Sequence, residues 1–493
     1  MKHVVVVGAG FGGLSAAIHL RRRGARVTVL EKNDHVGGKV DQWSSGGYRF
    51  DTGPTLLTMP DVVREAFIAA GTRLEDHLEL LRLDPLCRYE FADGSTLDAT
   101  DDPAVMESRV AAFSPGDAGS YRRFLAHAGR VYDAAAGPFL FTPFGSLKAG
   151  QLLRNAPLAP AVFRIDAFRT LHDSVASFFR DPRLCQLFDR FATYNGSSPY
   201  LAPATLAVIP YVEFHFGGWY VRGGMARLAS GLEEAARSAG VEIRTGTAVE
   251  EIESASGLAT GVRLAGGERL RSDAVVCNAD AMYAQDALFG GSSQRRTGRR
   301  APEPSLAGFV LLLGVRKRFG RLAHHNVYFS GDYQGEFSSL VERGEPARDP
   351  TVYVSVSAIS DPGHAPPGGA NLFVLVNAPP LGPGARWEDG GRSYRDLVVR
   401  LLERRGLEGL EGAIEVERII TPAMFAARYN AFRGAIYGTS SNSKFAAFRR
   451  PPNRSRTLRC LYYAGGSAHP GGGIPLVLLS GKMAAELAAE DVL

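Results

Sequence analysis

Six residues near the start, Gly8-Ala9-Gly10-Phe11-Gly12-Gly13, carry the first chemistry. Glycines at 8, 10 and 13 have the spacing of a loop that holds a pyrophosphate. Gly8 permits the tight turn, Gly10 lets phosphate reach the backbone, and Gly13 lets a helix pack close to a strand. Gly12 belongs to the same loop. A β-branched run, residues 3–7, precedes it, and a helical pattern from Leu14 to Arg23 follows, punctuated by Gly24. Val27–Leu30 reads as a second buried strand closed by Glu31, which completes a βαβ unit. Free N–H groups at the helix start would hold the phosphates. Glu31 would accept from both ribose hydroxyls and repel a 2′-phosphate, which argues against NADP.

The next cluster separates one dinucleotide from another. Val36-Gly37-Gly38-Lys39 is followed by Gly47-Tyr48-Arg49-Phe50-Asp51-Thr52-Gly53-Pro54. This arrangement resembles the FAD-dependent amine-oxidase and carotenoid-desaturase superfamily. There a double glycine and a basic residue follow the ribose-binding acid, and a Phe-Asp-x-Gly-Pro turn comes later. Lys39 stands where Arg is usual; it can neutralise a phosphate but lacks the planar fork. The resemblance implies FAD, with Gly38, Lys39, Gly53 and Pro54 among its contacts.

Two further glycine clusters follow. Tyr220-Val221-Arg222-Gly223-Gly224-Met225 reads either as backbone pressed against a flavin or as an ordinary turn before a helix. Ala464-Gly465-Gly466-Ser467-Ala468-His469-Pro470-Gly471-Gly472-Gly473-Ile474-Pro475 leads into a helix, and Pro475 suits its first turn. That helix end would stabilise negative charge on a reduced flavin. His469 is either a general base or a histidine that shapes the loop, and the second reading is preferred.

This last loop resembles that of the bacterial phytoene desaturase family, with its Gly-x-x-x-His-Pro-Gly-x-Gly-Ile/Val-Pro pattern. Leu322-Ala323-His324-His325-Asn326, Asp361-Pro362 with Ala365-Pro366, and Asp181-Pro182-Arg183-Leu184 before Leu187-Phe188 are similar to that family too. The likeness runs from residue 3 to residue 490. Ile436-Tyr437-Gly438-Thr439-Ser440-Ser441-Asn442 looks more like the late-acting branch, the hydroxycarotenoid 3,4-desaturases and diapocarotenoid oxidases. The resemblance implies removal of hydride and proton from an apolar carotenoid in carotenoid biosynthesis. The cation left behind spreads over the polyene, so orientation matters more than a strong base. Two alternatives stay open: another flavin oxidase, of terminal methyl groups or of amines, and a prenyl-binding escort protein without catalysis. His324 and His325 read as a sheet-edge pair with no chemistry of their own.

These groups need a scaffold. The expected fold class is α/β: a Rossmann-like FAD-binding domain with a parallel sheet assembled from discontinuous segments, a mixed-sheet substrate domain and a helical lid. The expected division is 1–90, 221–300 and 441–493 for the cofactor domain, 91–220 for a helical, aromatic, membrane-facing region, and 301–440 for the substrate sheet. Residues 61–70 and Ile474–Ala489 read as helices, and Arg88–Ala99 as a hairpin about Asp93-Gly94. Val241–Arg244 and Ala274–Cys277 read as strands, and Gly266-Gly267 as the turn of another hairpin. Residues 306–314, 351–357 and 371–377 read as strands of the second sheet, and 205–221 as aromatic and β-rich. Aromatic residues across 130–220 either suit the walls of an elongated substrate tunnel or fill a core, and for any single one the core reading is preferred.

Composition narrows the rest. The chain has 493 residues, 45% of them hydrophobic and 22% charged, which excludes wholesale disorder. A net charge of +5 is thin for this length, and Arg21–Arg23, Arg295–Arg300 and Arg449–Arg459 read as solvated surface, so no nucleic acid partner is expected. Cys87, Cys185, Cys277 and Cys460 lie far apart, which argues against disulfides and a zinc site. The expected metal is none and the expected compartment is the cytoplasm. No apolar run approaches the roughly 18 residues of a spanning helix. Residues 138–168 combine Phe139, Leu140, Phe141, Phe144, Leu147, Leu152, Leu153 and Phe163 with Lys148, Arg154 and Arg164. This suits a segment that docks peripherally on the cytoplasmic membrane, or a lid with its apolar residues turned inward.

Overall fold

His3–Val7 is buried along its whole length because it is the middle strand of a five-stranded parallel sheet. Its neighbours are Arg26–Leu30 on one side and Ala274–Cys277 on the other, with Val4 in register with Val27 and Ala274. Glu242–Arg244 and Leu461–Tyr463 form the two edges. A computed structural model describes residues 1–143, 165–289, 302–382, 387, 389–443, 446 and 450–493. Arg295–Arg300, Arg449 and most of the segment read as membrane-facing (Phe144, Leu147, Lys148, Leu152, Leu153, Arg154, Phe163 and Arg164) lie outside the described residues.

The parallel sheet is covered on both faces, as its unbroken β-branched strands require. Helices Phe11–Arg22, Ala226–Ser238 and Ile474–Val492 share one apolar core with Val4, Val6, Val27 and Val276. Across the sheet, Val5, Val7 and Leu30 pack on an antiparallel meander, Val249–Ala255, Leu258–Leu264 and Arg269–Arg271. The expected hairpin is present, with Val262 opposite Leu270.

A second, seven-stranded sheet runs in the order Ile414–Ile420, Ala307–Val315, Ala370–Ala378, Val352–Ser355, His325–Tyr328, Cys87–Glu90, Thr96–Ala99. All pairs are antiparallel except His325–Tyr328 with Cys87–Glu90. Helix Arg392–Arg404 fills one face with Val398, Val399, Leu401 and Leu402. His324 and His325 are thus not at a sheet edge: strand His325–Tyr328 lies between two others, and both imidazoles are buried.

Helices Pro103–Phe113, Ser120–Ala135, Pro182–Asp189 and Val208–Phe216 form the aromatic-rich region. Asp102 and Asp181 cap two of them, each accepting from backbone N–H groups inside the first turn. One expectation changes here. Residues 205–221 are mainly helical, and only Trp219–Val221 is a strand. Pro210 lies in the helix's first turn, and packing of Phe214 on Tyr121, with ring centroids 5.6 Å apart, overrides the β-propensity of the aromatic run. The phenylalanines are chiefly core as well: Phe124, Phe179, Phe188 and Phe191 are each at most 2% exposed and stack on one another, Phe124 and Phe188 at 4.6 Å. The tunnel walls come largely from other residues.

The first and last helices meet without side chains between them. A Cβ on Gly481 would lie 2.2 Å from the Gly12 carbonyl oxygen and 2.8 Å from the Ala16 nitrogen. Ser15 Oγ donates to the Leu478 carbonyl at 2.7 Å in the same contact. Gly481→Ala should therefore push the helices apart at a cost of about 1–3 kcal/mol, the range for overpacking. A lower urea midpoint and weaker retention of the bound cofactor are the expected measurements.

Candidate cofactor and substrate site

The carboxyl ends of His3–Val7, Arg26–Leu30 and Ala274–Cys277 open onto one cavity of about 530 Å³. This is where a doubly wound sheet binds its ligand. Gly8 adopts φ +95° and donates its N–H to Leu30 O at 2.7 Å, which turns the chain sharply over the strand ends. A Cβ on Gly13 would sit 2.0 Å from Gly8 O, so the helix can approach only as glycine. No side chain caps the helix at Gly10, which leaves its N-terminus open to a phosphate. Glu31 is buried, and its carboxylate accepts from Ala9 N–H at 2.8 Å, Asn33 N–H at 2.9 Å and the Asn33 amide at 2.8 Å. Three donors thus hold it beside the loop, with acceptor capacity left for one ribose hydroxyl. Lys39 Nζ donates to Ile436 O at 2.5 Å. Burial lowers its pKa, with the Asp280 carboxylate acting the other way.

The Gly-Pro turn and the Gly223-Gly224 turn are tied to each other by one buried acid. Asp51 accepts from the Tyr220 hydroxyl at 2.6 Å and from Met225 N–H at 2.8 Å. Burial pushes its carboxyl up to about 6, against those two hydrogen bonds. Gly223 N–H donates to Asp361 at 2.7 Å, and Arg49 donates to Gly223 O at 3.1 Å. Gly223, Gly224 and Met225 therefore hold the turn together and are not among the residues lining the cavity, whereas Gly53 and Pro54 are.

The C-terminal loop lies beside the dinucleotide loop, where a Cβ on Gly12 would come within 2.7 Å of Gly465 N. Gly465, Gly466, Ser467, Gly473, Ile474 and Pro475 all line the cavity, and no side chain caps the helix at Gly473. Ser480 Oγ accepts from Gly465 N–H at 3.1 Å and donates to His469 O at 2.7 Å. Ser467 Oγ accepts from Ala281 N–H at 2.9 Å. His469 is not among the residues lining the cavity; its Nε2 lies 3.1 Å from Thr142 O, and burial lowers its pKa to about 4. Arg450, within a cluster expected at the surface, is only 6% exposed. It runs beneath the loop and donates to Gly466 O at 2.8 Å, and burial lowers its pKa to about 10.

Thirteen of the sequence-derived residues meet at this cavity: Gly8, Gly10, Glu31, Gly38, Lys39, Gly53, Pro54, Gly465, Gly466, Ser467, Gly473, Ile474 and Pro475. Gly12 and Gly13 stand behind it as packing positions. Sequence reasoning missed Asn278, which lies against Gly10, Gly12 and Gly465 and donates to Gly8 O at 3.3 Å. It also missed Thr247–Val249, which border the Glu31 end. Asn278 and Asp280 directly follow a buried strand, and an Asn-x-Asp at the end of such a strand was the signal available. Beyond Pro54 the lining becomes apolar, with Leu306, Val310, Val327, Phe373 and Leu375, interrupted by Arg190, Tyr194, Glu213, His325 and Tyr353. Among the described residues no group of His, Cys, Asp and Glu could hold a metal.

The residues fit FAD: a loop whose Gly10, Gly12 and Gly13 leave no room for a Cβ, a fixed carboxylate at ribose distance along the chain, and two uncapped helix ends face one cavity. Known proteins agree. The chain is 35% identical, over 100% of its length and 99% of the relative's, to a 4,4′-diapolycopene oxygenase of a Methylomonas species. It is 34% identical to a 1-hydroxycarotenoid 3,4-desaturase of Flavobacterium sp. strain P99-3, over 99% of both chains. It is 35% identical to a zeta-carotene-forming phytoene desaturase of Myxococcus xanthus, over 98% of this chain and 93% of that one. In structure it is similar to cyclohexylamine oxidase of Brevibacterium oxydans IH-35A, with a TM-score of 0.62, 16% identity and 99% of each chain covered. The model of the flavin containing amine oxidoreductases matches residues 11–489, and the chain belongs to that family.

Proposed function

We infer that the protein is an FAD-dependent carotenoid desaturase, which introduces double bonds into an isoprenoid chain. The observation that carries this reading is the single cavity that passes from the dinucleotide loop at Gly8 and Glu31 into an apolar end at Val310, Phe373 and Leu375. The names borne by its full-length relatives point the same way. An escort protein needs no such joined pocket, and an amine substrate would find little to pair with along the apolar wall.

FAD, when bound, supplies the hydride acceptor. The chain's own residues do the rest. The open helix end at Gly10 and the Glu31 carboxylate hold the pyrophosphate and ribose end. The loop Gly465–Gly473 and the helix start at Ile474 bring positive backbone N–H groups to the same cavity. Leu306, Val310, Val327, Phe373 and Leu375 bury the polyene at roughly 25 cal/mol per Å² of apolar surface and keep water from the reacting carbons. His469 supports this arrangement through its backbone and is not at the cavity wall.

Peripheral membrane docking is part of the same proposal. Carotenoids partition into bilayers, and Phe141 and Phe168, either side of residues 144–164, are 44% and 60% exposed. Among the described residues no helix is long and apolar enough to cross a membrane.

The function is tested by supplying the FAD-loaded protein with acyclic carotenes and reading products by mass. Loss of hydrogen pairs without oxygen gain is expected; unchanged carotenes in the presence of bound FAD would overturn the reading. His469→Gln should retain desaturation within about tenfold if His469 shapes the loop, and a loss beyond about 10⁴-fold with FAD still bound would instead assign it as general base. The variant should also change acid stability. The folded pKa of about 4 lies below the unfolded 6.5, so the unfolded state binds more protons between them. Wild type should lose stability relative to His469→Gln as pH falls from 6.5 to 4, with a constant gap below that. Urea midpoints at a series of pH values measure the difference. Anionic liposomes should carry the protein up a flotation gradient, and a Phe141→Ser, Phe168→Ser variant should float less while staying yellow.

A further inference from the structure

The apolar half of the cavity contains a polar cluster that a hydrocarbon cannot satisfy. Arg190, Glu213 and His325 are 7%, 2% and 2% exposed, and all three line the cavity. Arg190 donates to the Tyr89 hydroxyl at 3.2 Å and to the Tyr194 hydroxyl at 3.3 Å. A guanidinium has five N–H donors, so these two bonds leave others available. The Tyr194 hydroxyl donates onward to Glu213 at 2.7 Å. On the sheet side, His325 Nδ1 lies 2.7 Å from the Tyr353 hydroxyl, which lies 2.6 Å from Thr55 Oγ1. His325 Nε2 is buried with no hydrogen-bond partner.

Two physical facts set what the cluster would take. A donor buried without a partner forfeits the hydrogen bond it makes in water, so an unmatched imidazole nitrogen and spare guanidinium donors are costly beside a hydrocarbon chain. When Tyr353 donates to Nδ1, the free Nε2 carries the proton, and it joins the spare guanidinium N–H groups as a donor facing the cavity. The complement of such a site is an oxygen acceptor. Thr55 follows Pro54 directly, so the cluster adjoins the turn assigned to the cofactor and not a remote surface.

We propose that Arg190 and His325, braced by Glu213 and Tyr353, form a subsite for a hydroxyl or carbonyl oxygen on the carotenoid, and that the substrate is an oxygen-bearing carotenoid in preference to a plain hydrocarbon. The proposal rests on the reading of the protein as a carotenoid-binding flavoenzyme. Arg190 and His325 are specificity residues in it, acting through contact with the substrate oxygen.

The test is a binding titration of the FAD-loaded protein, followed by the visible absorption of the carotenoid. Three ligands of one chain length are compared: an acyclic carotene, its terminal alcohol and its terminal aldehyde. Wild type should bind at least one oxygenated form about tenfold or more tightly than the carotene. His325→Phe and Arg190→Leu should each cut that preference to about threefold or less, with the carotene bound no more weakly than by wild type. Arg190→Lys, which keeps a charged donor, should retain part of it. If Arg190→Leu fails to fold, seen by loss of FAD and of its melting transition, His325→Phe decides alone. A wild type that binds carotene without any preference overturns this inference and leaves the reading above standing. A protein that holds FAD but binds none of the three overturns both. A variant that melts earlier yet keeps the full preference assigns the cluster to structure only.

Discussion

Everything at this site depends on how closely two loops at opposite ends of the chain can approach. Gly12 and Gly465 face each other across Asn278, and a Cβ on either would come within 2.5 to 2.6 Å of the Asn278 Oδ1. Behind them Gly481 meets the Gly12 carbonyl. The glycines are therefore spent on distance more than on turn geometry. Only Gly465 of these three has a positive φ, +98°. With the backbones this close, the uncapped starts of helices Phe11–Arg22 and Ile474–Val492 open onto the same cavity. Two positive helix ends near one anion-binding cavity suit a cofactor that carries a pyrophosphate and gains negative charge on reduction.

The strand between the loops explains the long-range assembly. Ala274–Cys277 pairs with both His3–Val7 and Leu461–Tyr463, so Asn278 at its end reaches both glycine loops. Asp51 performs a comparable task at the other wall. A carboxyl pushed up to about 6 is a cost, and it is met by the Tyr220 hydroxyl and the Met225 N–H. Removing Tyr220 would leave that acid short of a donor and release the turn at Gly223. The family-like motifs at 51, 223 and 361 thus act as one bracing network, while the lining falls to Gly53 and Pro54.

The dinucleotide half was legible in the sequence for a physical reason. Glycine spacing, β-branched runs and a terminal acid are local constraints, and the βαβ unit satisfies them within Gly8 to Glu31. The C-terminal loop was legible by its glycines and Pro475. What could not be read was which side of each motif faces the ligand. Gly223 and Gly224 look like cofactor contacts in one dimension; in three, the Gly223 and Met225 N–H groups are bound to Asp361 and Asp51, and neither glycine is among the residues lining the cavity. Residues 208–216 carry a β-like composition, and only packing against Ser120–Ala135 makes them helical. Arg450 and His325 read as surface or edge residues because nothing nearby in sequence signals a buried cation's carbonyl partners or a strand on either side.

The two halves of the cavity solve opposite electrostatic problems. At the cofactor end, backbone donors are placed where negative charge is brought in, so their cost is met by the ligand itself. At the substrate end, Arg190 and Glu213 are both buried and linked only through the Tyr194 hydroxyl, and buried charges of this kind seldom repay their desolvation by stability alone. Apolar residues of similar volume would pack there as well, and would suit a hydrocarbon better. A cluster held by Tyr89, Tyr194 and Tyr353 against that gradient costs stability in the empty protein. It repays that cost only when a ligand group completes the hydrogen bonds, which makes the polar cluster, rather than the apolar wall around it, the part of the cavity able to tell one carotenoid from another.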